Sequence, residues 1–280
     1  MKTIKRLAGA ALLALAAAPA SADVIYATGG TINVPLGSQM FATSIFQNVI
    51  NGAGDVLSGI GWVSGIGPNT IGAPPPVCSS ACQLTFRFEG FTIDQYTNVA
   101  PGVDTFTAKL GTVKFYLDFV GPGSGGTLFN PGVGTTSAQD LSDATDGTLF
   151  LTLAGHATDV AGHTLAGVVT GGGSSISFNP MSFLDVVGTG GVANFNYNTN
   201  TLDSGNGLAD LGFFGSATLS PVHPAEGDCA SAASATGTEC MQGNATFAAN
   251  AIPEPSSIAL LGVALSGLGF GLRRRNKKTA

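Results

Sequence analysis

The segments Leu84-Thr85-Phe86-Arg87-Phe88-Glu89 and Val113-Lys114-Phe115-Tyr116-Leu117-Asp118-Phe119 decide the fold. Apolar and polar residues alternate along both segments, so each has one apolar side and one polar side. A period of two is the pattern of a β-strand with one buried face. Residues 149–153 repeat it, with Leu149, Leu151 and Leu153 on the same side. The three segments therefore predict half-buried strands.

Shorter segments of the same kind cover much of the chain. They lie at residues 56–63, 92–97, 104–109, 164–169, 174–178, 183–187, 193–197 and 211–219. Breaks rich in Gly, Pro and Asn separate them, and this pattern is typical of antiparallel all-β folds. We therefore expect an all-β protein whose body is an antiparallel β-sandwich or jelly roll. Residues 41–50 differ, because their apolar residues recur at helical spacing and indicate an amphipathic helix.

Composition and charge exclude several classes of protein. The chain has 280 residues, of which 10 % are charged, 44 % are hydrophobic and 41 are glycine. Charge-driven disorder and a coiled coil both need many more charged residues. The segment from Asp23 to Ala251 contains 16 acidic residues and only three basic ones, Arg87, Lys109 and Lys114. Because nucleic-acid binding depends on basic side chains that neutralise phosphates, we expect no nucleic-acid partner.

The N-terminal 22 residues have the layout of a secretory signal peptide. Lys2, Lys5 and Arg6 precede an apolar run, and Ala20-Ser21-Ala22 offers the small residues of a cleavage site. Residues 1–22 are therefore predicted to direct export. An exported chain reaches an oxidising compartment in which disulfides persist.

The C-terminal segment, residues 252–280, has three parts in a fixed order. Pro253-Glu254-Pro255 comes first, 17 uncharged residues follow at 256–272, and Arg273, Arg274 and Arg275 come next. As a helix, 17 residues measure about 25 Å, the short limit for a membrane span. The basic cluster should hold the C-terminus in the cytoplasm. We expect a precursor anchored by a transmembrane helix over 256–272, with its body outside.

This C-terminal segment resembles the PEP-CTERM sorting signal of Gram-negative bacteria, also known as the ice-binding protein C-terminal domain. The resemblance covers about the last 28 residues and rests on Pro253, Glu254, Pro255 and the three arginines. Ile252 stands where Val is commonest. In that family an exosortase, a membrane cysteine protease, is thought to cut near the PEP motif and release or re-anchor the body. The resemblance thus implies an exosortase as partner and a final place at the cell surface or outside the cell; it implies no ice-binding surface.

Between the two ends we expect one β-sandwich domain over residues 23–223 and a linker over residues 224–251. The linker is rich in Ala, Ser, Thr and Gly, which indicates flexibility and would hold the body away from the membrane. Four cysteines allow three pairings, and we favour the local pairs Cys78–Cys82 and Cys229–Cys240 as staples of surface loops. A redox or zinc role is disfavoured, because a redox dithiol normally has two residues between its cysteines and this pair has three.

Two groups of oxygen-bearing residues are calcium candidates, since calcium prefers several hard oxygen ligands. The first is Asp140, Asp143 and Asp146, and the second is Asn196, Asn198, Asn200 and Asp203. Neither group fits an EF-hand loop. Asp and Asn that cap local turns are the competing interpretation.

Other candidate groups have simpler structural explanations. His156, Asp159 and His163 form a compact group, for which a solvated loop is favoured over a metal site. The aromatic residues Trp62, Tyr96, Tyr116 and Tyr197 are candidates for stacking on sugar rings, although most aromatic residues of a sheet protein belong to its core.

No catalytic motif emerges from the sequence. It contains neither the nucleophile elbow of the α/β-hydrolases nor a His-Glu-x-x-His zinc motif. A glycosidase needs two carboxylates across one cleft, and the scattered acids do not reveal such a pair. We expect a non-catalytic, exosortase-sorted protein of the cell surface or extracellular matrix that supports biofilm, floc or envelope structure, with exopolysaccharide as a candidate partner. The alternatives are a calcium-assisted, lectin-like carbohydrate-binding module and a secreted hydrolase. No cofactor is expected other than calcium.

Overall fold

The computed structural model describes residues 23–27, 30–34, 38–68, 82–119, 129, 137–172, 175–188, 191–220 and 240–249. The predicted signal peptide and the C-terminal segment 252–280 lie outside these ranges. Within the described residues we find no helix that is long and apolar enough to cross a membrane.

The described residues form strands and two short helices. In chain order these are β1 (Asp23–Ala27), β2 (Gly30–Val34), β3 (Ser38–Asn48), β4 (Val56–Pro68), β5 (Cys82–Ala100), β6 (Val103–Phe119), α1 (Ser137–Asp143), β7 (Thr148–Gly155), β8 (His163–Gly172), β9 (Ser175–Val186), α2 (Asn194–Tyr197), β10 (Leu202–Asp203), β11 (Leu208–Ala209), β12 (Leu211–Ser220) and β13 (Cys240–Ala249). The all-β prediction is confirmed.

Nine of the strands form one antiparallel sheet that closes on itself. Its order is β12-β13-β3-β4-β5-β6-β7-β9-β8, with additional pairings of β12 with β9 and of β6 with β8. The long β6 pairs with β8 along its first half and with β7 along its second half, and β9 pairs with both. Because β9 also pairs with β12, the path along the sheet returns to its start. The two faces that a sandwich would bring together are here opposite walls of a single sheet.

The alternation of β5 and β6 fills the inside of this closed sheet with phenylalanine. Phe86 and Phe115 point inward and meet Phe247 of β13, with ring centroids 5.3 and 4.9 Å from that ring. Phe213 of β12 approaches the same ring at 5.1 Å. One void among these side chains, lined by Phe88, Phe213 and Phe247, has a volume of about 10 Å³, the size that holds one water molecule. The rings therefore pack closely around Phe247.

Two glycines of β4 make room for these rings. Gly61 lies opposite Phe86 and Gly59 lies opposite Phe88 in the pairing of β4 with β5. A Cβ atom on Gly61 would lie 2.6 Å from the Cζ atom of Phe86 and would also strike the carbonyl oxygen of Ser44. Part of the high glycine content is therefore a packing requirement, because each ring lies over a strand that has no side chain there.

A second, smaller core lies on the outer face of the sheet. It consists of Phe46, Ile60, Phe129 and Ala144, with Trp62 and Leu141 packed against it. Ile60 lies between Gly59 and Gly61 on β4 and so points to the opposite side from them. The Thr85 hydroxyl donates a 2.7 Å hydrogen bond to the carbonyl oxygen of Ala144, directly after α1. This outer core fixes α1 on the sheet.

The structure corrects three sequence-based predictions. Residues 41–50, predicted as a helix, belong mainly to strand β3. Residues 193–197, predicted as a strand, contain the single helical turn α2, which places Ala193 and Tyr197 on one buried side. Residues 240–249 were assigned to the linker 224–251 but form β13, which pairs with β12 on one side and β3 on the other.

Candidate functional site

The predicted sorting residues Pro253, Glu254, Pro255, Arg273, Arg274 and Arg275 lie outside the described residues. Their distance from the body is nevertheless limited by the chain. β13 ends at Ala249, so only residues 250–252 separate the closed sheet from Pro253. Even a fully extended chain would span at most about 14 Å between these two Cα atoms. The predicted motif therefore follows the folded body directly.

The first predicted calcium group lies on and after α1, beside the end of β6. Asp140 and Asp143 are three positions apart on α1 and so lie on the same side of it. Asp146 lies in the following turn, and a Cβ atom on Gly147 would lie 2.8 Å from the carbonyl oxygen of Leu117. This close approach brings the turn against Asp118 of β6. We call Asp118, Asp140, Asp143 and Asp146 the acidic cluster.

Two members of the acidic cluster are buried and have carboxylate oxygens without a hydrogen-bond partner. Asp140 is 1 % exposed and Asp118 is 4 % exposed. Both carboxylate oxygens of Asp140, and Oδ2 of Asp118, have no hydrogen-bond partner. A buried, unpaired carboxylate is costly, because it loses its water without gaining a donor.

The electrostatics of the acidic cluster reflect the proximity of its members. Burial raises the pKa of the Asp118 carboxyl, the charges of Asp146 and Asp143 raise it further, and a bond from the Phe119 N–H opposes them. Burial also raises the pKa of Asp143, together with the charges of Asp146 and Asp140. Asp118 was not predicted as a site residue, since it is an ordinary outward polar position in an alternating strand.

The residues of the second predicted calcium group form hydrogen bonds mainly with near neighbours in the same turns. The Asn200 side chain donates to the side-chain oxygen of Asn198 at 3.2 Å, and Asp203 accepts from the Gly205 N–H at 2.9 Å. Asn196 lies in α2, and its N–H donates to the carbonyl oxygen of Ala193 at 3.0 Å. These contacts favour the competing interpretation, in which Asp and Asn side chains cap local turns.

The residue that organises this region is Asp210, which the sequence did not single out. Its Oδ1 accepts from the N–H groups of Thr199 and Asn200 at 2.5 and 2.6 Å, and its Oδ2 accepts from the Val186 N–H at 2.8 Å. Asp210 is 2 % exposed. It therefore ties β9 to the loop after α2 through three backbone donors.

The two histidines of the described residues, His156 and His163, are bound to carboxylates rather than to each other. His163 Nδ1 lies 2.6 Å from Asp159, and its Nε2 lies 3.0 Å from Asp94, whose carboxylate also meets Lys109 at 3.1 Å. The bonds to Asp159 and then Asp94 raise the pKa of His163, and the same contacts lower the pKa of both carboxyls. His156 pairs separately with Asp185 at 2.8 Å. The predicted His156, Asp159 and His163 group is thus divided between two separate pairings.

Most of the aromatic candidates for sugar stacking are packed into the protein. Tyr197 is fully buried, and burial raises the pKa of its hydroxyl far above the ordinary value. Trp62 packs on Phe46 and Phe129 in the outer core. Burial and a bond to Asp104 raise the pKa of Tyr96 to about 12. Tyr116 is half-buried on β6 beside Arg87, and burial raises its pKa. None of the four is a fully exposed platform.

The three basic residues of the body are all paired. Arg87 lies 2.6 Å from Glu89, Lys114 lies 3.9 Å from the same carboxylate, and Lys109 pairs with Asp94. They lie together on β5 and β6. Each of the three therefore has a carboxylate partner on β5.

Neither predicted disulfide has both of its cysteines among the described residues, because Cys78 and Cys229 lie outside them. No free thiol is found at the described cysteines. The pairings Cys78–Cys82 and Cys229–Cys240 stay predictions. Across the described ranges, no three His, Cys, Asp or Glu side chains form a ready-made metal site.

Comparison with known proteins identifies the C-terminal segment. The model of the PEP-CTERM protein-sorting motif matches residues 251–275. No curated protein and no solved structure matches the chain. The matched motif implies processing by an exosortase and a secreted protein that reaches the cell surface. The chain thus carries a PEP-CTERM sorting motif directly after a closed antiparallel sheet, and the resemblance of its C-terminal segment to that family is confirmed.

Proposed function

We propose that the protein is a non-catalytic component of the cell surface or extracellular matrix that supports biofilm, floc or envelope structure. The observation that carries this proposal is the sorting motif, which begins within a few residues of the last strand of a closed and filled sheet. In this proposal a precursor anchored through residues 256–272, with its C-terminus in the cytoplasm, is cut by an exosortase. The closed sheet is then delivered intact.

The packing of the body supports a role without catalysis. Small-molecule sites occupy about 300–1,000 Å³, whereas the interior void described above is close to 10 Å³. Two carboxylates of the acidic cluster, those of Asp118 and Asp140, are almost fully buried. A glycosidic bond could not reach both members of such a pair. These features favour a structural role over the secreted-hydrolase alternative.

The test is a deletion strain complemented by two forms of the gene. We expect deletion to impair settling of flocs and retention of matrix, and the wild-type gene to restore both. A gene with Pro253→Ala and Glu254→Ala should leave an unprocessed precursor and fail to restore the phenotype. Immunoblots of cell and matrix fractions locate each form. Normal settling and matrix retention in the deletion strain would contradict the proposal.

Binding to exopolysaccharide is measured separately, with residues 23–251 incubated with the producer's own polysaccharide in calcium and in chelator. Saturable binding would make this a glycan-binding matrix protein. Loss of binding in chelator would favour the calcium-assisted, lectin-like alternative. An absence of binding in both buffers would leave a structural or protein-binding role in the matrix.

A further inference from the structure

Two large apolar side chains lie next to each other on the outer face of the closed sheet. Met181 of β9 pairs directly with Phe214 of β12, and each is 47 % exposed. Directly paired residues of antiparallel strands point to the same face. A single exposed apolar residue is ordinary, whereas neighbouring ones form a patch that indicates an interaction surface.

The strand pairings extend this pair into a row across the sheet. Met181 pairs on its other side with Ala166 of β8. Phe214 pairs on its other side with Thr246 of β13, which in turn pairs with Phe41 of β3. The row therefore crosses five neighbouring strands without a charged side chain.

The row also widens along the strands, because residues two positions apart on a strand share a face. Val168 follows Ala166 on β8 and is 37 % exposed, and Phe183 follows Met181 on β9 and is partly exposed. The pairing of Val168 with Asn179 places these two additions on opposite sides of the row. We call this patch the apolar face; it consists of Phe41, Ala166, Val168, Met181, Phe183 and Phe214.

The five strands that form the apolar face contain almost no charge. Over the described residues of β3, β8, β9, β12 and β13, the acidic and basic side chains are His163 and Asp185. His163 is 7 % exposed, and Asp185 pairs with His156 at 2.8 Å. The segment from Asp23 to Ala251, by contrast, contains 16 acidic residues and three basic ones. The apolar face is thus a neutral area on a strongly acidic molecule.

We infer that two copies of the protein associate through the apolar face, in a two-fold contact that buries Met181 and Phe214 of both copies. Identical acidic molecules repel each other, and a contact through a neutral face keeps their carboxylates apart. An anionic lipid surface fits this face poorly, because lipid-binding faces are flanked by basic side chains. The three basic residues of the described body lie on β5 and β6, which contribute nothing to the apolar face.

The size of the apolar face sets the strength of this contact. Five strands about 4.8 Å apart, and two steps of about 6.8 Å along them, give roughly 400 Å² per copy when the breadth of the side chains is included. An uncharged rim that includes Asn179, Gln242 and Asn244 surrounds it. With this rim, the contact buries about 1,000 Å² in total, the low end for specific interfaces. We therefore expect a reversible dimer with a dissociation constant on the order of 10–100 μM.

The test is sedimentation velocity on the protein as producing cells release it, purified without detergent because detergent would cover an apolar face. We expect the average sedimentation coefficient to rise from that of a monomer toward that of a dimer over about 1–200 μM protein. Sodium chloride should strengthen the dimer, because it screens the repulsion between the acidic bodies. A contact made by ion pairs would weaken instead.

Three variants separate this contact from a general effect on folding. Phe214→Asp and Met181→Lys each place a charge in the contact and should weaken association at least about tenfold. Their melting temperatures should stay near that of the wild type, since both side chains are about half exposed. Val160→Lys is the matched control, because Val160 is fully exposed between β7 and β8 and lies outside the apolar face. It should dimerise as the wild type does.

A mixture of the Phe214→Asp and Met181→Lys proteins gives the sharpest result. The two new charges are opposite, so they attract across the contact, and we expect the mixture to associate although each variant alone does not. Misfolded variants would not regain association in this way. A mixture that stays monomeric would overturn the two-fold arrangement.

Two further results would overturn the inference itself. The first is a wild-type protein that stays monomeric up to about 200 μM. The second is a pair of charged variants that dimerise as the wild type does. A monomer that binds vesicles of phosphatidylcholine and phosphatidylglycerol would assign the apolar face to lipid instead. None of these results depends on the proposed matrix role, because all are measured on the purified protein.

Discussion

Asp210 shows how one side chain can replace a turn's backbone bonding. Its two oxygens accept from three backbone N–H groups, at Val186, Thr199 and Asn200, in a position closed to water. Asn200 itself has a φ angle of 47°, in the left-handed region that asparagine tolerates better than most residues. The carboxylate thus bonds two successive N–H groups of this loop and joins them to β9.

Asp210→Asn should lower the free energy of unfolding by about 2–4 kcal/mol. The substitution replaces one accepting oxygen by an NH₂ group, which cannot accept from a backbone N–H, and it removes the negative charge that strengthens these hydrogen bonds. Urea denaturation of both chains measures the difference. Asp203→Asn keeps an amide oxygen that can accept from the single N–H bound at this exposed position, so it should change stability by less than about 1 kcal/mol. Equal effects of the two substitutions would contradict this role for Asp210.

His163 makes stability depend on pH through a bridge between two carboxylates. Its pKa is raised above 6.5, so the charged ring contributes stability fully below that value. The contribution is lost as pH rises through the raised pKa. Asp94 and Asp159 have pKa values lowered from 3.8, so their part of the bridge is lost only in stronger acid.

His163→Gln should therefore lower the melting temperature most at about pH 5.5 and least at about pH 9. The ring faces Asp159 and Asp94, and Lys109 stays charged across this interval and shares Asp94. Melting curves of both chains at several pH values give the difference directly. A difference that is constant with pH would show that the ring acts only through packing.

At the scale of the element, alternation predicts strands well where the register is unbroken. β5 keeps an unbroken register over residues 84–88, whereas the pairing of β6 with β7 has an irregularity between Phe115 and Tyr116, and the adjacent Phe150 and Leu151 are both buried. In β3, irregularities between Phe41 and Ala42 and between Ala42 and Ser44 shift the register. The strand also buries both of its faces, with Ile45 in the main core and Phe46 in the outer core. Together these features produce the spacing that was read as a helix.

β13 was missed for a different reason. Its Ala, Gly, Asn and Thr residues have the composition of a linker, yet it lies between two strands. A Cβ atom on Gly243 would strike the backbone of β12, so a small residue is required there. A close approach of neighbouring strands therefore requires small residues, and small residues are also typical of a flexible linker. Sequence alone does not separate the two.

The glycines of β4 are the element-scale feature with the clearest energetic consequence. Gly61→Ala should cost about 1–3 kcal/mol, because the new methyl group meets Phe86 and the backbone of β3. Gly52→Ala is the matched control, since nothing lies within 4 Å of its Cβ position. We expect the control to change stability by less than about 0.5 kcal/mol. Chemical denaturation of the three chains decides between them, and equal stabilities would refute the packing role.

At the scale of the whole molecule, closure of the nine-stranded sheet depends on strand pairings that cannot be predicted from the sequence pattern. Pairing of β12 with β9 and of β6 with β8 joins segments far apart in the chain. Hydrophobic pattern fixes which face of a strand is buried but not which strand lies beside it. The burial of Asp118 and Asp140 depends on the same long-range arrangement, so the sequence presents Asp118 as an ordinary polar position and predicts Asp140 as a calcium candidate without showing that it is buried.

Because β13 completes the sheet, the position of a truncation should decide whether the body folds. A chain that ends at residue 251 keeps every strand that the structure describes and should melt cooperatively. A chain that ends at residue 239 lacks β13, leaves β12 and β3 without their shared neighbour and should not melt cooperatively. Near-ultraviolet circular dichroism and limited proteolysis compare the two. A cooperative, protease-resistant shorter chain would contradict the role assigned to β13.

Closure of the sheet also limits how copies of the protein assemble when they crowd together. Over the described residues, every strand of the nine-stranded sheet has a neighbour on both sides. Unpaired strand edges are the places where proteins recruit strands from other molecules and polymerise. Among the described residues of this sheet a long open edge remains at residues 94–100 of β5, which pair with β6 on one side and with no described strand on the other, so addition of a strand from another copy is restricted mainly to this segment. Elsewhere copies must be held together by side chains on the outer faces, and such contacts can be taken apart without unfolding the protein.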